Sequence, residues 1–217
     1  MKRALGVLLL NLVLAQTIYA QEIEVIPANA KLEGTSLGDW GGRWWQWALQ
    51  FDKHNSPVSD ITGENCANRQ TGNVWFLAGA YTRNSITRTC EIPQGKTLFF
   101  PILNVVHAST QDQSITCERA KQGARSIMQS PTNLYLSIDG KKISDVSAHR
   151  EASKECFDPY KLFARSQELK TSPPGFPAAS DGYWIAIKPL PVGKHTLRFG
   201  GQVPSFSQDI TYELTVR

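Results

Sequence analysis

The chain of 217 residues is poor in most of the signals that mark a chemistry. No C-x-x-C pair is present, which argues against a zinc knuckle or a dithiol redox centre. The sequence also has no H-E-x-x-H, no phosphate-binding loop and no glycine-rich dinucleotide fingerprint. Charge is nearly balanced, with 23 Lys and Arg against 19 Asp and Glu, and the basic residues are scattered. Such a chain has no electrostatic field for nucleic acid, so a nucleic-acid partner is not expected. After residue 20 no apolar stretch is long enough to cross a bilayer, and no transmembrane segment is expected in the mature chain.

The one long apolar run lies at the start. Lys2 and Arg3 precede a run from Ala4 to Ala15, and Ile18-Tyr19-Ala20 ends in a small residue. This is the pattern of a secretory signal peptide over residues 1–20, with the mature chain beginning at Gln21. Export to a periplasmic or extracellular compartment follows as the expectation. A mature chain starting with Gln lacks the N-terminal histidine brace of oxidative polysaccharide enzymes.

An exported chain meets oxidising conditions, so Cys66, Cys90, Cys117 and Cys156 read as two structural bridges. Four cysteines allow three pairings. Cys66 with Cys90 and Cys117 with Cys156 is the preferred one, because each bridge then closes a local loop. Residues 21–217 are long enough for one domain with a substantial core.

Local patterns organise that domain. Ser36 is a candidate N-cap, and Trp40, Trp44, Trp47, Ala48 and Phe51 then recur at three- and four-residue steps, with Trp45 and Leu49 widening the stripe. Four tryptophans in eight residues invite comparison with a sugar-stacking platform, but their helical period favours packing on a sheet. Residues 54–73 are rich in turn formers and read as a long polar loop. Apolar runs at Val74–Ala80, Ile86–Ile92 and Thr97–Leu103 read as strands. Cys117–Gln129 has helical spacing, Leu134–Ile138 and Lys142–Ser144 form a hairpin across Asp139-Gly140, and Tyr183–Lys188, His195–Gly200 and Ile210–Val216 close the chain as strands. Eight or nine short strands joined by Gly and Pro turns predict a mainly β fold, an antiparallel, jelly-roll-like β-sandwich with one or two packed helices.

Several segments resemble a family of exported bacterial proteins of uncharacterised activity. They are Trp44-Trp45-Gln46-Trp47-Ala48-Leu49, Asp60-x-Thr62-Gly63-x-x-Cys66, Val74-Trp75-Phe76-Leu77-Ala78-Gly79, Gly95-Lys96-x-Leu98-Phe99-Phe100-Pro101-Ile102, Asp181-Gly182-Tyr183-Trp184 and Gly193-x-His195-Thr196-x-x-Phe199-Gly200-Gly201. The resemblance spans most of the mature chain. It implies export, a bacterial source and one compact domain, and it implies no activity.

Candidate chemistry comes from loops. Asp60, Glu64 and Asp181 could pair as carboxylates for general acid and base work, joined by His107 at a strand end. Asp60, Thr62 and Glu64 also offer oxygens at close spacing, with calcium as the candidate ion; no other cofactor is expected. Trp75, Tyr81 and Trp184 are candidates for a ligand-stacking surface. His195 shares strand parity with Leu197 and Phe199 and is expected at the packed face. Two functions follow as expectations: a non-catalytic binding or envelope-associated module for a glycan, small ligand or envelope protein, and, as the alternative, a glycan-directed hydrolase or lyase. Converging carboxylates would favour the second, and exposed aromatics the first.

Overall fold

A computed structural model describes residues 23–167, 169–170 and 173–217. The expected signal peptide and the start at Gln21 lie outside the described residues. In chain order the elements are β1 (Lys31–Leu32), β2 (Thr35–Ser36), α1 (Leu37–Ala48), β3 (Val74–Phe76), β4 (Ile86–Ile92), β5 (Thr97–Ala108), α2 (Cys117–Ile127), β6 (Thr132–Ile138), β7 (Lys141–Lys142), a 3-10 turn (Val146–His149), β8 (Arg150–Ala152), α3 (Lys161–Ser166), β9 (Ala178–Ile187), β10 (Gly193–Val203) and β11 (Phe206–Val216). The mainly β, sandwich-like architecture expected from the turn spacing is what the chain adopts. A five-stranded sheet in the order β4-β11-β10-β6-β7 faces a four-stranded sheet in the order β3-β5-β9-β8.

Strand parity builds the layers. On β5, Leu98 and Phe100 point toward the five-stranded sheet, where they meet Leu197, Phe199 and Tyr212, while Phe99 points the other way toward Trp40, Trp44 and Trp184. The Phe100 and Phe199 rings lie 4.7 Å apart between the sheets. A register shift between Pro101 and Leu103 lets both Ile102 and Leu103 join the inter-sheet core. Most pairings are antiparallel. Two are parallel, β3 with β5 and β4 with β11, because β4 crosses to the opposite sheet between β3 and β5.

The tryptophan helix forms a third layer. Ser36 caps α1 by accepting from the Asp39 amide at 3.2 Å, as its position predicts. Trp40, Trp44 and Trp47 pack on the outer face of the four-stranded sheet with Phe76, Phe99 and Trp184. The stripe is core, as its period implied. Close approach depends on Gly41, where a Cβ would fall 2.4 Å from the Trp184 ring. α2, capped by Thr116, lies against β9 and β5 and ends in the buried Met128.

Both preferred bridges are formed, Cys66–Cys90 and Cys117–Cys156. The first ties the polar loop to β4, and the second ties the start of α2 to the segment after β8. Several strands, β10 and β11 among them, run further than their patterns suggest. β9 begins at Ala178, because Ser180, Asp181 and Gly182 are buried in spite of their loop-like composition, and β5 continues through His107. Among the described residues, no helix is long and apolar enough to cross a membrane.

Candidate functional site

The carboxylates singled out in the sequence do not gather. Asp60 caps its own turn, accepting from the backbone N–H groups of Thr62, Gly63 and Asn65 and from the Thr62 hydroxyl at 2.7 to 3.0 Å. Burial works to raise the Asp60 carboxyl, but these hydrogen bonds outweigh it and hold the group below its ordinary value. The Thr62 hydroxyl serves the same turn, and Glu64 is exposed at the rim of a 630 Å³ groove over the polar face of β4, β10 and β11. Among the described residues, no three His, Cys, Asp or Glu side chains gather as metal ligands. Asp181 lies in the other sheet, 3% exposed, in a two-pronged pair with Arg150 at 2.9 and 3.2 Å. His107 packs against α2, so closely that a Cβ on Gly123 would fall 2.4 Å from its ring.

The proposed aromatic surface also changes. Trp75 and Trp184 are buried, at 6% and 0% exposure, and only Tyr81 remains outside at 65%. Their strands are covered on both faces, which the local sequence does not reveal. His195 lies on the packed face as expected, with its ring nitrogens 2.8 Å from an Asp139 oxygen and 2.9 Å from the Pro191 carbonyl.

One further string has catalytic spacing. Gly34-Thr35-Ser36-Leu37-Gly38 matches the G-x-S-x-G of nucleophile elbows, preceded by a short strand and followed by a helix. Ser36 itself has ordinary extended backbone, is buried, and uses its hydroxyl on Asp39 both as acceptor and, at 2.6 Å, as donor. Its duty is a helix cap.

A different site emerges from groups whose hydrogen bonds are unfinished. Of the six tryptophans, four donate their indole N–H to a backbone carbonyl: Trp40 to Leu32, Trp44 to Leu77, Trp47 to Asn68 and Trp184 to Glu151. Trp45 and Trp75 do not, and the buried Asn104 side-chain nitrogen has no partner either. Trp45 and Asn104 border one and the same cavity of 300 Å³. An unpaired buried donor costs roughly 1–3 kcal/mol, and both nitrogens are closed off from solvent, so the residues meet the cavity through other atoms.

Five parts of the chain build that cavity. The C-terminal half of α1 supplies Trp44 and Trp45, the loop after it supplies Val58, the turn after β3 supplies Tyr81 and Arg83, β5 supplies Asn104, and the start of β11 supplies Phe206. Gln208 holds these parts together: its Oε1 accepts from the Ala80 amide at 2.9 Å and its Nε2 donates to the Ile102 carbonyl at 2.8 Å. Gly79 allows this, since a Cβ there would fall 2.3 Å from the Gln208 Oε1. Arg83 donates to the Ser205 carbonyl at 2.7 Å and fixes the rim.

Behind the cavity sits a buried cation. Arg88, 1% exposed, donates to the carbonyls of Val58, Asp60, Ala78 and Gly79 and to the Tyr212 hydroxyl, at 2.8 to 3.3 Å. Val58 and Gly79 are themselves lining residues. Among the described residues, no carboxylate pairs with Arg88. Sequence reading passed over Arg88, although its signal was there: it occupies an inward position in the alternation of Ile86, Arg88, Cys90 and Ile92. Asn104 and Gln208 gave no comparable signal.

No family model matches the chain, and no curated protein matches it. Two solved structures are similar at 13% identity. "Structure of PbICP-C in complex with falcipain-2" covers 67% of this chain and 100% of that one with a TM-score of 0.31, and "Solution Structure of Amebosin" covers 61% and 96% with a TM-score of 0.20. Similarity at this level carries no functional argument.

Proposed function

We propose that this chain is an exported bacterial binding module that takes a small, ring-bearing ligand, a glycan unit foremost, in the cavity between α1, β5 and the β10–β11 turn. The observation that carries this reading is a single 300 Å³ cavity walled by the aromatic side chains of Trp45, Tyr81 and Phe206. Flat rings stack on such walls. Its 300 Å³ suits a single sugar or a comparable ring. Export is supported by the basic start and apolar run of residues 1–20 and by two disulfides in the domain. Among the described residues lining the cavity there is no Asp, Glu or His, which supports binding over the hydrolase or lyase reading.

The test is a thermal-shift panel of the oxidised exported protein against monosaccharides, oligosaccharides and peptidoglycan fragments. A ligand at a hundred times its Kd adds about 2.7 kcal/mol of stability. The expected result is a raised midpoint with one ligand class, lost in Y81A and reduced in W45F. A flat panel, or a rise indifferent to both substitutions, would remove this cavity as the binding site.

A further inference from the structure

We propose that the ligand is a linear oligosaccharide of three or more units, held along a groove that continues from this cavity past Tyr81 to the turn after α1. This rests on the cavity being the binding site, and adds the length and class of ligand. Three cavities share their walls in series. Tyr81 lines both the 300 Å³ cavity and a neighbour of 420 Å³, and Phe51 and Phe163 line both that neighbour and a third cavity of 480 Å³. Two stretches of chain keep the same order. Along α1 and its exit, Trp45 lines the first cavity, Leu49 the second and Gln50 the third; along the returning loop, Asn55 lines the third, Ser56 and Ser59 the second and Val58 the first. Two walls that run in opposite directions past the same sequence of cavities set them in a line. The chemistry along that line suits a sugar chain. Rings that are exposed or half-buried stand at the junctions, Tyr81 at the first and Phe51 and Phe163 at the second, and sugar faces stack on such rings. Side-chain amides gather at the far end. Asn55 donates its Nδ2 to Asp52 at 2.8 Å and Asn68 donates its Nδ2 to the Asn55 carbonyl at 3.0 Å, which orients both amides and leaves their Oδ1 atoms as acceptors for hydroxyls. Arg69, which reaches Gln50 through one nitrogen, adds donors. The one carboxylate among the described lining residues is Asp52, which accepts from the His54 and Asn55 amides. A lone carboxylate lacks the partner that glycoside hydrolysis uses, so the groove holds the chain without cutting it.

A chain-length series tests this. The full exported protein is titrated calorimetrically with cello-oligosaccharides and with chito-oligosaccharides, from monosaccharide to hexasaccharide. Each further unit engages as an intramolecular event, so in one series affinity is expected to rise at least about tenfold from monosaccharide to trisaccharide and then to level off. Substitutions along the groove read its geometry. N55A, at an exposed loop position, and F163A should weaken the trisaccharide and longer oligomers several-fold more than the monosaccharide, whereas Y81A should weaken every length. An affinity independent of length and abolished by Y81A would overturn the extended groove while leaving the cavity as the site. A rise with length that ignores both N55A and F163A would overturn it as well, since the added units would then lie elsewhere. Binding that withstands Y81A and W45F would remove the cavity and the groove with it. Absence of binding at every length in both series would overturn the oligosaccharide, with the thermal-shift panel then deciding the cavity by itself.

Discussion

Arg88 and Tyr212 are register partners on the parallel strands β4 and β11, and the Arg88 Nη1 donates to the Tyr212 hydroxyl at 2.9 Å inside the core. The same hydroxyl donates to the Ala78 carbonyl and accepts from the Ala78 amide, both at 3.0 Å. Two side chains thus replace the backbone pairing that the turn after β3 lacks. R88M removes the donor for four buried carbonyls at once, and an unsatisfied buried group costs about 1–3 kcal/mol. The expected loss is at least about 3 kcal/mol, read as a lowered urea midpoint. R88K retains the charge without the planar fork and should recover only part of it. Y212F should cost about 1–2 kcal/mol. An unchanged midpoint in R88M would mean that the carbonyls find water instead.

His149 gives the stability a pH dependence above the carboxylate range. It is 8% exposed, its Nδ1 has no partner, and burial pushes its pKa below the ordinary 6.5 against an opposing backbone hydrogen bond with Trp184. A histidine depressed in the folded state takes up its proton first when unfolded, so its contribution is complete above about pH 6.5 and is lost as pH falls toward the folded value. Asp60 and Asp209, held below their ordinary 3.8, lose theirs only under more acid conditions. Urea titrations from pH 7.5 to 5 should therefore show a falling midpoint in the wild type and a flatter one in H149Q. A parallel fall in both proteins would assign the slope elsewhere.

What could be read from the sequence follows from how local each signal is. The period of Trp40, Trp44 and Trp47 and the Ser36 cap were enough to place α1, because helix faces repeat within a few residues. Loop closure was enough to favour the two bridges. The burial of Asp181, Trp75 and Trp184 was not legible, since it depends on α1 and α2 arriving from elsewhere to cover their sheet. The cavity is less legible still: Trp45, Asn104 and Phe206 are brought together from α1, β5 and β11, and no window of the sequence contains them. Only Arg88, a charge at an inward strand position, announced that something polar had to be satisfied inside.

The two disulfides should stabilise by similar amounts and fail in different places. Their sequence separations of 24 and 39 residues correspond to about 3–4 kcal/mol each on the chain-entropy account. Cys66–Cys90 holds the loop of residues 54–73 against β4, so C66A/C90A should also open that loop to proteolysis. C117A/C156A should leave the loop protected while lowering the midpoint comparably. Limited digestion followed by mass mapping separates the two. Equal cleavage in both double variants would show that the loop is held by its turns and by Arg88 rather than by the bridge.

Gly41 sets two effects against each other. Replacing glycine with alanine inside a helix favours the helix by about 1 kcal/mol, which by itself predicts a more stable protein. At this position the new methyl group would lie 2.4 Å from Trp184, whose ring is fully buried, stacked on Phe99 at 5.5 Å, and tied to the Glu151 carbonyl. The ring has no room to retreat, so α1 must lift from the sheet, and overpacking of this kind costs about 1–3 kcal/mol. Packing should win: G41A is expected to be less stable by about 1–2 kcal/mol in urea, with an altered near-ultraviolet signal from the tryptophan cluster. A stabilised G41A would show that the helix and the four-stranded sheet yield more easily than close packing of these rings implies.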